Sequence, residues 1–120
     1  MSAMQRAKGQ AGERELAALL RTITGLDVQR RVRQHVGDSD LLGLPGWAIE
    51  VKRHKEATHA VIESWWTQTV RQAGPHRPAL FYREDRQPWR AVWSLNGTTD
   101  YAGTVEAAPE LWWAMCGGQV

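Results

Sequence analysis

Trp47-Ala48-Ile49-Glu50-Val51-Lys52, preceded by Asp38-Ser39-Asp40-Leu41-Leu42 and the turn Leu44-Pro45-Gly46, is the stretch on which the reading of this chain turns. In an extended strand, alternate side chains share a face. Trp47, Ile49 and Val51 therefore point into a core. Ala48, Glu50 and Lys52 point the other way, with the acid and the amine about 6.6 Å apart along the strand. The exposed face of a one-sided antiparallel sheet would also account for that pattern. Asp40 alters the balance, because it opens the preceding strand and the Pro45-Gly46 turn brings it back toward Glu50. A tight two-residue turn would oppose Asp40 to Val51, on the wrong face. The reading therefore requires an odd loop or a single bulge at Gly43 or Gly46, both of which permit one.

Two carboxylates meeting at about 4–5 Å repel, and one is driven toward its protonated form unless a cation compensates. Oxygen donors without a neighbouring Cys or His select a hard ion, Mg²⁺ or Mn²⁺, over zinc. Lys52 beside such an ion is placed to orient water or to offset charge on a phosphoryl transition state. That combination suits phosphodiester hydrolysis. A third acid is available from the first helix, in Lys8-Gly9-Gln10-Ala11-Gly12-Glu13-Arg14-Glu15-Leu16. Glu13 lies about 70° from the centre of that helix's apolar stripe and Glu15 about 90° on its other flank. Periodicity leaves the choice between them open.

Working outward, Leu16, Leu19, Leu20 and Ile23 predict a helix over 11–24 stopped by Gly25. Val28–Arg33, Asp40–Leu42 and Trp47–Arg53 read as strands. Ile62, Trp66, Thr69, Val70 and Ala73 share a face and predict a second helix over about 60–73, stopped by Gly74-Pro75. Pro78–Tyr82 and Trp89–Leu95 form a strand pair around a polar loop. Pro109 opens a possible short helix. The order α-β-β-β-α-β-β implies an α/β fold, a central mixed β-sheet flanked by helices. The chain reads as a single domain over residues 1–120, with its core over about 8–95 and a C-terminal extension, 96–120, of open role.

Composition narrows the class. At 120 residues, 42% hydrophobic and 23% charged, the chain is globular rather than disordered. It has no apolar run long enough to cross a bilayer and no secretory h-region, so no membrane partner is expected. One cysteine, Cys116, builds neither a disulfide framework nor a thiolate zinc site, and the expected compartment is cytoplasmic. The net charge of +2 hides an asymmetry. Residues 1–35 hold seven Arg/Lys and three acids, whereas 91–120 hold three acids and no Arg or Lys. A basic half points to a polyanion. Arg30, Arg31 and Arg33, with Arg6 and Lys8 ahead of the helix, are candidates to track phosphates, as are Arg53, His54 and Lys55 after the Glu50 strand. His54 has no neighbour with which to ligate a metal. Seven tryptophans in so small a chain leave aromatic surface for a dimer interface.

The helix motif around Glu13, the Gly37-Asp38-Ser39-Asp40-Leu41-Leu42 segment and Ile49-Glu50-Val51-Lys52, in this order, resemble the PD-(D/E)XK nuclease superfamily. Within it they resemble the small archaeal-type and phage Holliday junction resolvases, over about residues 8–95. Ser39 stands where the superfamily's name has proline. The resemblance implies a restriction-endonuclease-like core and a metal-dependent DNA endonuclease. Glu13, Asp40 and Glu50 would be its metal-binding and catalytic acids, Lys52 its catalytic lysine, and Mg²⁺ its cofactor, with Mn²⁺ as a substitute. It also allows a glutamine of the second helix, Gln68 or Gln72, to reach the site. The implied substrate is branched or four-way-junction DNA cut by a homodimer, since a junction offers two symmetric strands. Another nuclease of the superfamily, or a non-catalytic DNA-binding module, remains open at this point.

Overall fold

The computed structural model describes residues 2–32 and 39–117. The first helix, α1 (Ala3–Thr24), begins eight residues before the apolar stripe predicts. A capping box starts it: the Ser2 side chain accepts from the Gln5 amide, and the Gln5 side chain accepts from the Ser2 amide. Gly25, at φ 72°, ends it and donates to the Arg21 carbonyl. Gly12 sits inside α1 because an added Cβ would come within 3.2 Å of Arg53 Cβ, so a bare backbone lets helix and sheet close together.

The sheet has four strands, β3 (Trp47–His54), β4 (Arg77–Glu84), β5 (Arg90–Ser94) and β6 (Thr104–Ala107), in that spatial order. β3 and β4 are parallel, joined through α2 (His59–Ala73), and the other pairings are antiparallel. The expected mixed sheet is present, but it gains β6, which the sequence does not predict, and leaves out the strands expected over 28–33 and 40–42. β6 and the short α3 (Pro109–Trp112), which has Pro near its start, come from the stretch beyond residue 95. Trp112 of α3 is fully buried, with edge-on contacts to Trp47 at 5.1 Å and Phe81 at 5.0 Å. The core therefore extends past its expected boundary near residue 95.

Both faces of the sheet are covered. Ile49, Val51, Phe81 and Trp93 pack against Leu16 and Leu20 of α1 and against Trp112. Leu80, Tyr82 and Val92, on the alternate face, pack beneath Ile62, Trp65 and Trp66 of α2. Six of the seven tryptophans are buried within the chain itself, Trp47, Trp66 and Trp93 among them, and Trp113 is partly exposed, so little surplus aromatic surface is left over for an interface. No helix among the described residues is long and apolar enough to cross a membrane.

The hairpin that carries Asp40 departs from the expected bulged ladder. Two short strands, β1 (Gln29–Arg30) and β2 (Leu41–Leu42), pair with each other, antiparallel and apart from the main sheet. The two glycines serve the loop instead: Gly43 at φ 101° and Gly46 at φ 82° both take the left-handed region. An added Cβ on Gly43 would overlap the Asp27 carbonyl. β2 is thus held by the segment after α1, and Asp40, just ahead of it, is hydrogen-bonded to β3.

Candidate active site

β3 is an edge strand, and an edge strand leaves backbone groups unpaired on its outer side. Asp40 satisfies two of them at once. Its amide donates to the Ile49 carbonyl at 2.8 Å, and its Oδ2 accepts from the Val51 amide at 2.7 Å. That clamp sets the Asp40 carboxyl beside Glu50, the residue between the two. Both acids are buried, at 7% and 5% exposure. The convergence required of them is met by side-chain capping of the edge rather than by strand register.

Glu50 lies on the α2-facing side of β3. Lys52 Nζ stands 3.8 Å from its Oε1, and Gln68 of α2 donates to the same oxygen at 3.4 Å. Burial, then the Asp40 charge, pushes the Glu50 carboxyl up to about 8 against the opposing pull of Lys52. A hydrogen bond with Asp40 and the more distant Glu13 charge push in the same upward direction. These influences favour the protonated form of Glu50 beside Asp40. A strongly displaced acid in a cleft beside a specific charge partner is the usual mark of a functional site.

The cleft that holds them is about 850 Å³. The early turns of α1 form one wall through Arg6, Lys8 and Glu13, and the end of β3 forms another through Arg53, His54 and Lys55. Gln68 and Gln72 of α2 close a third side. Six Arg/Lys side chains line it against three acids, a field that favours a polyanion. Arg6 and Lys8 lie on α1 rather than ahead of it as expected. The Ser2–Gln5 capping pattern was the sequence signal that places them there.

The other site candidates divide. Glu13 faces the cleft with its Oε1 on Arg30 Nε at 2.9 Å. Among the described residues no three His, Cys, Asp or Glu side chains stand close enough to hold one ion, so Asp40 and Glu50 form a pair with Glu13 set apart from it. Glu15 turns away, accepting from Trp89 Nε1 at 2.8 Å and from Arg83, with Arg53 3.9 Å off. Tertiary contacts thus separate two acids that helical angle left equivalent. Arg30, Arg53 and Lys55 line the cleft. Arg31 instead holds the Asp40 segment, its Nε on the Ser39 carbonyl at 2.9 Å and its amide on the Asp40 carbonyl. Arg33, and with it Gly37 and Asp38, lie outside the described residues.

Comparisons with known proteins bear on the family and the fold. The model of a family described as "Phage putative PDDEXK endonuclease" matches residues 4–106. No curated protein matches the chain. Among solved structures, the chain is similar in fold to Hjc of Archaeoglobus fulgidus, a Holliday junction resolvase, at 22% identity and a TM-score of 0.51. That match covers 87% of this chain and 91% of the other. It gives the α/β sheet and its flanking helices a restriction-endonuclease-like fold. With the Asp40, Glu50 and Lys52 constellation inside the matched span, the chain belongs to the phage PDDEXK endonuclease family.

Proposed function

We propose that the chain is a metal-dependent endodeoxyribonuclease that cuts branched DNA, with a four-way junction as substrate and a homodimer as its working form. One observation carries this reading: a buried Asp40–Glu50 carboxyl pair with Lys52 3.8 Å from Glu50, in a cleft walled by basic side chains. The donor set fits a hard divalent ion such as Mg²⁺ or Mn²⁺. It is made of oxygens alone and is desolvated, and a bound cation would offset both the burial and the Asp40 charge that push the Glu50 carboxyl up. When bound, the ion polarises the phosphate and acidifies water.

The chain's own residues supply the rest. Asp40 and Glu50 would hold the ion, and the backbone clamp on Ile49 and Val51 fixes the Asp40 geometry. Gln68 orients Glu50 from α2. Lys52 offsets negative charge developing on the phosphate. Arg30 ties Glu13 in the resting chain. A DNA phosphate entering the cleft competes for that guanidinium and releases Glu13 to complete the acidic set. Arg6, Lys8, Arg53 and Lys55 contact the flanking backbone, which positions DNA without reading its sequence.

The test compares Mg²⁺-dependent cleavage of a synthetic four-way junction, a flap and a linear duplex by wild type and Asp40→Asn. Symmetric nicks on the junction, abolished by Asp40→Asn, are expected. Undiminished cutting by that variant, or none by wild type on any substrate, overturns the reading.

A further inference from the structure

His54 follows Glu50 and Lys52 on the same face of β3, and the hydrolysis proposed gives it no task. Its imidazole is exposed and lines the cleft. Behind it stands an aromatic column. The Trp65 ring lies 4.8 Å from the imidazole at 56°, and Tyr82 lies 6.0 Å beyond Trp65. Trp65 and Tyr82 are buried, at 7% and 5% exposure, and belong to the apolar layer under α2. One side of the imidazole is therefore braced by the core while the ring stands open to the cleft. A histidine wanted only as a phosphate contact has no need of this bracing.

The surroundings of the ring also disfavour its charged form. Burial and the Lys52 and Lys8 ammonium groups hold His54 below its ordinary range, with Asp85 opposing them weakly. A solvent-facing ring braced on one side by Trp65, in a basic cleft that disfavours its charge, is the chemistry of a stacking platform, where every base has a π-face to offer. Same-face residues on a strand are about 6.6 Å apart, so His54 stands about 13 Å along β3 from Glu50. That distance is no more than about four base steps at the 3.4 Å rise of one strand.

We propose that His54, backed by Trp65, is a nucleobase-stacking site for an unpaired base a few nucleotides from the scissile phosphate. This rests on the nuclease reading and deepens it. A base inside continuous duplex already has both faces covered, so a stacking site of this kind favours DNA whose strands part near the cut. It supplies a preference for branched substrates that phosphate contacts alone do not.

The experiment measures binding by fluorescence anisotropy with Ca²⁺ replacing Mg²⁺, using a splayed-arm DNA and the same DNA with a single abasic nucleotide walked across the first four unpaired positions. Wild type, His54→Ala and His54→Phe are compared, with Mg²⁺-dependent cleavage followed separately. At one position wild type should lose about 5- to 20-fold in affinity when the base is absent. His54→Ala should not distinguish the two DNAs, and His54→Phe, which keeps a ring, should distinguish them as wild type does. A purely structural effect of the substitution lowers both affinities together and leaves the ratio intact. If wild type ignores the missing base at every position, or Phe fails where Ala fails, the stacking site is refuted. Mg²⁺-dependent cleavage in that case leaves the nuclease reading standing. Binding to neither DNA together with no cleavage sinks both.

Discussion

Replacing Glu50 by glutamine tests the electrostatics of the site without DNA. In the folded chain, burial and Asp40 raise the Glu50 carboxyl from 4.5 to about 8. Below pH 4.5 it is protonated in both folded and unfolded chains and costs nothing. Between about 5 and 8 the unfolded chain ionises while the folded one must keep its proton, so stability falls as pH rises. At about 1.4 kcal/mol per unit, the loss accumulates to several kcal/mol by pH 8. For a chain of this size each kcal/mol moves Tm by about 3–6 °C, so the decline exceeds about 10 °C. Glutamine is neutral and of similar shape, and the Gln68 amide can still find an oxygen. In chelator-treated protein, calorimetry from pH 5 to 9 should show wild-type Tm falling and Glu50→Gln nearly flat. The variant should be the more stable protein at pH 8. Added Mg²⁺ should then restore much of the wild-type loss at pH 8 by binding the folded chain, and do little for the variant. Parallel Tm curves for the two proteins across pH 5–8 would refute the account of Glu50 as a carboxyl held in deficit of positive charge.

Further outcomes follow from individual contacts. Glu15→Ala leaves the buried Trp89 indole without its acceptor and should cost about 1–2 kcal/mol in urea unfolding. Glu13→Ala should change stability less and reduce cleavage more, and the reverse order would mean that the two acids have been assigned the wrong way round. Gly9 sits inside α1 with nothing within 4 Å of an added Cβ, so Gly9→Ala should raise stability by about 0.5–1 kcal/mol by denaturant midpoint. Trp112→Ala empties a fully buried site between Trp47 and Phe81 and should cost about 3–5 kcal/mol, measured the same way. A small loss there would mean that the C-terminal stretch is dispensable to the core.

Local pattern carried much of the architecture. Period-two alternation in Trp47–Lys52 assigns Ile49 and Val51 to one face and Glu50 and Lys52 to the other, because the pleat leaves no alternative. The 3.6-residue stripe of Leu16, Leu19, Leu20 and Ile23 likewise marks the buried side of α1. Capping chemistry was equally local, and Ser2 with Gln5 announced the true start of that helix. Gly12 is not explained by the helix itself, because its reason lies in the approach of Arg53 from β3.

Alternation along β3 already placed Glu50 and Lys52 side by side, since each residue's direction depends only on its own backbone. The meeting of Asp40 with Glu50, the withdrawal of Glu15 to Trp89 and Arg83, and the engagement of Arg31 with Ser39 were decided by tertiary structure. Each depends on which segments lie next to one another after folding. Asp40 shows why most clearly. Two unpaired backbone groups at a sheet edge hold it in place, and whether β3 has an open edge depends on how all four strands assemble.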